Sequence, residues 1–418
     1  MSVQPPPGSA SVAPQRTDYV GFPRYTKDQF SQIREQHNIM VFVGNGFDLQ
    51  VLQEYGAEYR TSYESFFYFL KARGFDSDNL IFQYMDKERR AAERARKIDA
   101  AEDRGWSDIE TTIAAVLNDG SAAPDAIECA VRAIQHEFSR FLELAVPSSL
   151  SAQLGDDSMK NGWAFCSLNN FLWDLHNAND YKRVAQRLRE SSAYHLYNFQ
   201  FINFNYTTLL DDYLFLDQGQ FDPDGNHSTV DTNAKFKNDP HGYVWTLGKS
   251  DPGQSGYLLV DVAHPHGVQY IPRSLLFGID APDDFAQKRD CRRRIMKPFW
   301  AQAHRKFSGY FADCELFIIY GCSIGESDGW WWRQIARHVA TDAADLIIYS
   351  WHRPGVPPAG RSEEVLNRFL QSASIDPGGA EGATIRRRTA IVLHDGSRKV
   401  RQFLDTTRDI GGGTVGAI

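Results

Sequence analysis

Four short segments gather residues whose types and spacing suit chemistry on a phosphate- or ribose-bearing ligand. The first is Gly44-Asn45-Gly46-Phe47-Asp48. Glycines there let the backbone turn tightly and approach a ligand, and N–H groups at a following helix start can hold a phosphate. The third glycine of the dinucleotide fingerprint is missing, because Leu49 stands in its place, and no clean strand-end acid follows about 20 residues on. A tight strand-to-helix turn without any ligand explains the motif equally well. The second segment is Asn203-Phe204-Asn205-Tyr206-Thr207. An amide side chain there can donate and accept at once, and so orient a ribose hydroxyl or a water against a sugar carbon. An Asx-turn or a cap for a helix starting at Thr207 and Thr208 is the plainer explanation.

The third segment is His264-Pro265-His266-Gly267. Two histidines at i and i+2 fall on one face of an extended strand. With Asp261 they would make a metal-ligand set. The alternative is one catalytic imidazole, suited to proton transfer near neutral pH, followed by a glycine that gives it room. A histidine held for purely structural reasons is the plainest account of at least one of the two. No His-x-x-x-His or His-Glu-x-x-His partner set stands elsewhere, and no metal is expected. The fourth is Gly321-Cys322-Ser323-Ile324-Gly325-Glu326-Ser327-Asp328, where Ser323 and the loop amides suit a phosphate or ribose and Asp328 suits a helix N-cap. Cys322 beside Ser323 lacks a Gly-x-Ser-x-Gly elbow or a local activating base, so neither is taken as a nucleophile. Trp330, Trp331 and Trp332 fit core packing better than a base-stacking platform.

These segments need strands to present them. Short β-branched, apolar runs read as buried parallel strands at Ile39–Val43, Phe199–Phe204, Leu275–Phe277, Leu316–Tyr320 and Leu346–Tyr349, with Ile391–His394 and Tyr257–Val262 as further candidates. Between the first two lies helical sequence. Thr61 and Glu64 have capping-box spacing before a helix over Ser65–Lys71. Ile81–Ala101 is charged and Ala-rich, a solvated helix in preference to a nucleic-acid patch. Helical periodicity continues in Ser107–Leu117, Ala123–Leu144 and Ser167–Leu175. The fold expected is α/β, a Rossmann-like, mostly parallel sheet with a large helical insertion after the first strand. The expected division is a disordered arm over 1–20, a discontinuous nucleotide-binding domain over 37–60 and 196–400, a helical insertion over 61–195, and a flexible tail over 401–418.

Composition sets the outer limits. The chain has 418 residues, 42% hydrophobic, with 45 basic and 53 acidic side chains, a net charge of −8. That apolar share excludes wholesale disorder, and no run is long and apolar enough for a membrane-spanning helix. Residues Met1–Arg16 lack the apolar centre of a secretory signal. Five cysteines (Cys129, Cys166, Cys291, Cys314 and Cys322) without a Cys-x-x-Cys pair suit reduced thiols in a cytoplasm. A net acidic chain is a poor default partner for nucleic acid; Arg292-Arg293-Arg294 and Arg386-Arg387-Arg388 are the local exceptions.

Each motif is weak alone, but their order is specific. Gly-Asn-Gly-Phe-Asp, then Thr61-Ser62-Tyr63, Trp106-Ser107-Asp108-Ile109-Glu110, Asn-Phe-Asn-Tyr-Thr, His-x-His-Gly and Gly-Cys-Ser-x-Gly-Glu-x-Asp-x-x-Trp resemble the AbiH family of bacteriophage abortive-infection proteins, from about Ile39 to Val339. The order is also similar, more distantly, to the nucleotide site of the sirtuin-like superfamily. That resemblance implies NAD as substrate or ligand, with Asn205 and His266 as the catalytic pair at the nicotinamide-proximal ribose. It implies Gly44 and Gly46 against the pyrophosphate and Ser323 on the nucleotide, with Asn45, Phe47, Asp48, Tyr206, Gly267, Gly321 and Asp328 around them. The chain departs from that pattern at Asn45, at Thr207 where relatives often have Asp, and in lacking zinc-ribbon cysteines, which argues against a protein deacylase. The expected activity is hydrolysis of the N-glycosidic bond of NAD. A non-catalytic nucleotide sensor or toxin module, or a metal-dependent nuclease using Asp261, His264 and His266, are the alternatives. The expected partners are a nucleotide and a phage-derived trigger, with homo-oligomerisation compatible and no membrane.

Overall fold

The computed structural model describes residues 21–22, 35–96, 108–120, 122–188, 195–214, 256–280, 295–352, 358–394 and 402–408. Six strands form one all-parallel sheet: β1 (Glu35–Val43), β2 (His195–Asn203), β3 (Gly256–Ala263), β4 (Leu316–Tyr320), β5 (Asp345–Trp351) and β6 (Thr389–His394). Their order is β3-β2-β1-β4-β5-β6. The order therefore reverses between β1 and β4, the place where open α/β sheets part to admit a ligand. The near-continuous apolar runs follow from burial on both faces. Ile39, Val41 and Val43 of β1 enter one core, and Met40 and Phe42 enter the other.

The register fixes what stands at the carboxyl edge. Val43 pairs with Asn203 on one side and with Tyr320 on the other. Gly44, Phe204 and Gly321 are thus level with one another, and three of the four chemistry-bearing segments leave the sheet side by side.

On the first face lie α1 (Gly46–Glu54), α2 (Tyr63–Ala72), α3 (Leu80–Arg96), α4 (Ile109–Asp119), α5 (Pro124–Ala145), α6 (Ser148–Asn161), α7 (Trp163–Asn170), α8 (Ala178–Arg187) and α9 (Leu209–Leu214). All but α9 fall between β1 and β2, and they share a single apolar core with the sheet. α5 shows why: Ile127, Val131, Ile134, Phe138, Phe141 and Leu142 recur at helical spacing and are buried. α8 is fixed to the sheet by charge, since Arg183 and Arg187 both donate through Nε to the buried Asp345 at 2.8 and 2.5 Å. The opposite face carries α11 (Ala303–Ala312), α12 (Gly329–Ala340), α13 (Arg361–Ser372) and α14 (Ala380–Arg388), preceded by the short α10 (Lys297–Trp300). Trp330, Trp331 and Trp332 are all buried there, as the core reading requires.

Several expectations are corrected. Leu275–Phe277 is not a strand. It leaves a 3-10 turn at Pro272–Ser274, and Leu276 N–H donates to His266 C=O in a loop contact; Leu275 and Phe277 are buried in the core shared with α5, Phe277 against Phe138 and Tyr63, and not by sheet pairing. The first helix of the insertion is capped by Ser62, whose Oγ accepts from Ser65 N–H, because the Thr61 hydroxyl is spent on Asn45. Residues 402–408, expected within a loose tail, are packed, with Phe403 and Leu404 fully buried. The charged helix runs to Arg96, where Arg89 lies over Phe67 and pairs with Asp86 and Glu93. Residues 97–101, the arm over 1–20, Trp106, Ser107, Cys291, Arg292-Arg293-Arg294 and residues 409–418 lie outside the described residues. Arg386, Arg387 and Arg388 pair with Glu363 and Asp342 of the chain itself. Among the described residues, no helix is long and apolar enough to cross a membrane.

Candidate functional site

At the end of β2, Asn205 turns toward β1. Its Nδ2 donates to Gly44 C=O at 3.2 Å and to Asp48 Oδ1 at 2.9 Å, and Thr207 Oγ1 donates to Asp48 Oδ2 at 2.7 Å. Burial pushes the Asp48 carboxyl up to about 7, although the bonds from Thr207 and Asn205 oppose it. Both amide hydrogens of Asn205 are thereby used, and its carbonyl oxygen is the atom left to accept from a ligand hydroxyl. Thr207, the residue at which the chain departs from the sirtuin-like pattern, completes this knot from the same strand end. Asn45 is fixed in turn by Thr61, whose hydroxyl donates to it at 2.7 Å.

A second cluster lies one residue further along. The imidazole of His266 stacks on Phe204 at 4.8 Å, and its Nε2 is 3.3 Å from Asp328 Oδ1. Lys297 Nζ is 2.7 Å from the same oxygen and 2.9 Å from both oxygens of Glu110. Burial would raise the Asp328 carboxyl, but Lys297 and His266 outweigh it and hold the group well below the carboxylate range. Glu110 is pushed the other way, raised by burial against the pull of Lys297. Lys297 stays a cation, because Asp328 and Glu110 overcome the burial that would discharge it. The result is a buried imidazole beside a carboxylate fixed in its ionised form, an arrangement suited to taking up a proton. Tyr206 closes the cluster, its hydroxyl donating to Leu276 C=O at 2.9 Å.

Asp328 was expected to cap α12. It makes no cap bond; Asp280 caps instead, accepting from Trp330 N–H at 2.9 Å, and Asp328 faces Lys297 and His266. The two histidines also part company. His264 Nε2 meets Asp211 at 3.0 Å while His266 meets Asp328, and Asp261 is exposed on its own strand. The three are not brought to one point, and among the described residues no group of three or more His, Cys, Asp or Glu is placed to hold a metal.

The glycines have a packing cause. A Cβ on Gly46 would stand 2.6 Å from Gly321 Cα, and one on Gly44 would stand 2.8 Å from Cys322 Cα. The β1 and β4 turns touch directly, and the N–H groups of Gly44, Gly46 and Phe47 are bonded within these turns. Phe47 packs its ring into the core against Tyr213. Gly267, at φ +89°, lets its turn meet Ser274. Ser323 is exposed, and burial raises the Cys322 thiol well above its ordinary value, which keeps it protonated. Ile324 beside them holds a left-handed φ of +53°, rare for a β-branched residue.

Lys297 went unnoticed in the sequence, and Tyr63 and Glu110 were seen only as parts of motifs. Lys297 has no local signature, since its partners come from α4 and from the loop after β4. Asp48 supplies a test that needs no ligand. Its folded-state value lies above the unfolded one, so the folded chain holds the extra proton in between. Its contribution to stability is complete below about pH 4 and lost as pH rises through about 7. Urea unfolding across that window is expected to show the stability of wild type falling relative to Asp48→Asn. A pH-independent difference would contradict the assignment.

A family model described as bacteriophage abortive infection AbiH matches residues 40–350. No curated protein and no solved structure gives a significant match. The matched span runs from β1 into β5 and contains both clusters, every strand end that forms them and all the helices between β1 and β2. The chain belongs to the AbiH family of bacteriophage abortive-infection proteins.

Proposed function

We propose that this abortive-infection protein binds NAD or a related nucleotide at the carboxyl ends of β1, β2 and β4 and hydrolyses its N-glycosidic bond. The observation that carries this reading is the buried His266–Asp328–Lys297 arrangement at the point of strand reversal, next to the Asn205–Asp48 knot. Among the described residues, Asn203 Nδ2 and both amide atoms of Gln269, all buried, find no hydrogen-bond partner, and a polar ligand would satisfy them. The glycine turn, filled by Gly321 and Cys322, contributes shape and not a phosphate cradle.

The chemistry asks little of a nucleophile. The ribose C1′–nitrogen bond lengthens toward an oxocarbenium-like state, its electron pair returning to the nicotinamide nitrogen and cancelling that charge. Water adds to C1′ and its proton passes to His266. Asn205 accepts from a ribose hydroxyl and holds the sugar, and Asp328 stabilises the imidazolium as it forms. The test is incubation of the purified chain with NAD, alone and with lysate from phage-infected cells, reading free nicotinamide. Wild type is expected to release it and the Asn205→Ala, His266→Ala chain is not; equal release from both ends the hydrolase reading. The burial of both clusters favours one other reading, nucleotide sensing without turnover. It predicts that His266→Ala cells still resist phage.

A further inference from the structure

The strand ends hold a second imidazole–carboxylate pair, which the chemistry above does not use. Ala263, the last residue of β3, pairs with Ile202, so His264 stands level with Asn203 on the neighbouring parallel strand. Side chains alternate between the two faces along a strand. Phe201 and Val43 enter the core of the first face, and Asn203, two residues past Phe201 and paired with Val43, shares that face. His264 turns to the same side, because it meets Asp211 of α9, which packs there. The two carboxylate oxygens of Asp211 lie 3.0 and 3.1 Å from His264 Nε2. A carboxylate only accepts, so the proton of the neutral ring is on Nε2 and Nδ1 keeps a lone pair. Asn203 Oδ1 accepts from Asn205 N–H at 3.0 Å, which leaves the Nδ2 hydrogens to donate. Asn203 Nδ2 and His264 Nδ1 are both buried, and among the described residues neither finds a hydrogen-bond partner. They are an unmet donor and an unmet acceptor at adjacent strand ends, and neighbouring strands stand about 4.8 Å apart. Charge on Asp211 and His264 reaches Asp48, which sets the pair beside the Asn205–Asp48 knot. We infer that Asn203 Nδ2 and His264 Nδ1 seat a sugar hydroxyl of the bound nucleotide, with Asp211 as the positioning residue that keeps the lone pair of His264 free for it.

A hydroxyl suits this pair, because one oxygen accepts from the amide while its own hydrogen goes to the imidazole. A deoxy sugar would leave both atoms buried and unpaired, so the seat selects ribose. This seat rests on the nucleotide reading above and adds a demand on the sugar. ADP-ribose, which cleavage of NAD leaves behind, lacks the bond to be broken and is the probe. Calorimetric titration of the whole chain is expected to show that ADP-ribose binds at least about tenfold more tightly than its 2″-deoxy or its 3″-deoxy form. It is also expected to bind at least about tenfold more tightly than ADP, which lacks that ring altogether. His264→Phe and Asp211→Ala are each expected to erase most of the preference for ADP-ribose over ADP while ADP binds as before, a change that a merely structural role does not produce. Melting curves, with His264→Gln as the milder variant, separate lost binding from lost fold. No binding of ADP-ribose to wild type would end the nucleotide reading and the seat with it. Binding of ADP-ribose with both deoxy forms held equally well, or variants that weaken ADP-ribose and ADP alike, would overturn the seat alone.

Discussion

His266→Ala is expected to lower nicotinamide release by between about a hundredfold and ten-thousandfold, the range that one positioned proton-transfer group contributes. The imidazole is buried, stacked on Phe204 and set 3.3 Å from an Asp328 oxygen, so it is oriented without help from a ligand. Asp328 is ionised across the accessible pH range because Lys297 and His266 stabilise its charge against burial. That carboxylate stands beside the imidazole, where it would stabilise the imidazolium formed in the reaction. Asp328→Asn removes that support while keeping the shape. It is expected to shift the alkaline and acidic limbs of the rate profile and to lower the rate by less than His266→Ala does. A structural role for His266 would lower stability and leave the pH profile of the remaining activity in place. Loss of less than about tenfold in a folded His266→Ala chain would remove His266 as the base.

Lys297→Met is expected to destabilise the fold by about 3–5 kcal/mol at pH 8, the cost of leaving buried charge uncompensated. Both Glu110 and Asp328 face Lys297, and among the described residues neither has another Lys or Arg at ion-pair distance. Without Lys297 the Asp328 carboxyl rises and Glu110, already raised by burial, rises further. The folded chain then binds protons that the unfolded chain does not, and stability recovers as pH falls from about 8 toward 5. Glu110→Gln added to Lys297→Met is expected to restore part of the loss, because the two changes share one interaction. Urea midpoints of the single and double variants at both pH values check this. A loss under about 1 kcal/mol at pH 8, or one independent of pH, would show that solvent reaches the cluster and that Lys297 does not hold it together.

Much of the architecture was legible in the residues. Ile39–Val43 and Leu316–Tyr320 are apolar on both faces because parallel strands under helices must be, and a run of that kind cannot be placed elsewhere at low cost. Leu275–Phe277 has the same appearance and a different fate. Three apolar residues are enough to place Leu275 and Phe277 in the core beside α5 and too few to compete for a place in the sheet. The insertion was readable from the 3.6-residue period of α5, whereas its attachment through Arg183, Arg187 and Asp345 joins residues more than 150 positions apart.

The site divides in the same way. The sequence by itself determined which strand ends carry polar residues, and hence that Asn205, His266 and the Gly44 and Gly321 turns lie along one edge. Only the tertiary structure decided what each group does there. Gly46 serves contact with Gly321, Asn205 is bound to Asp48, and Asp328 leaves its capping position to Asp280 for Lys297 and His266. The reason is physical. Hydrophobic period and turn chemistry act over a few residues and are written in order along the chain. The protonation and orientation of a buried group depend instead on charges and dielectric within a few ångströms, and here those neighbours come from α4, α10 and the loop after β4.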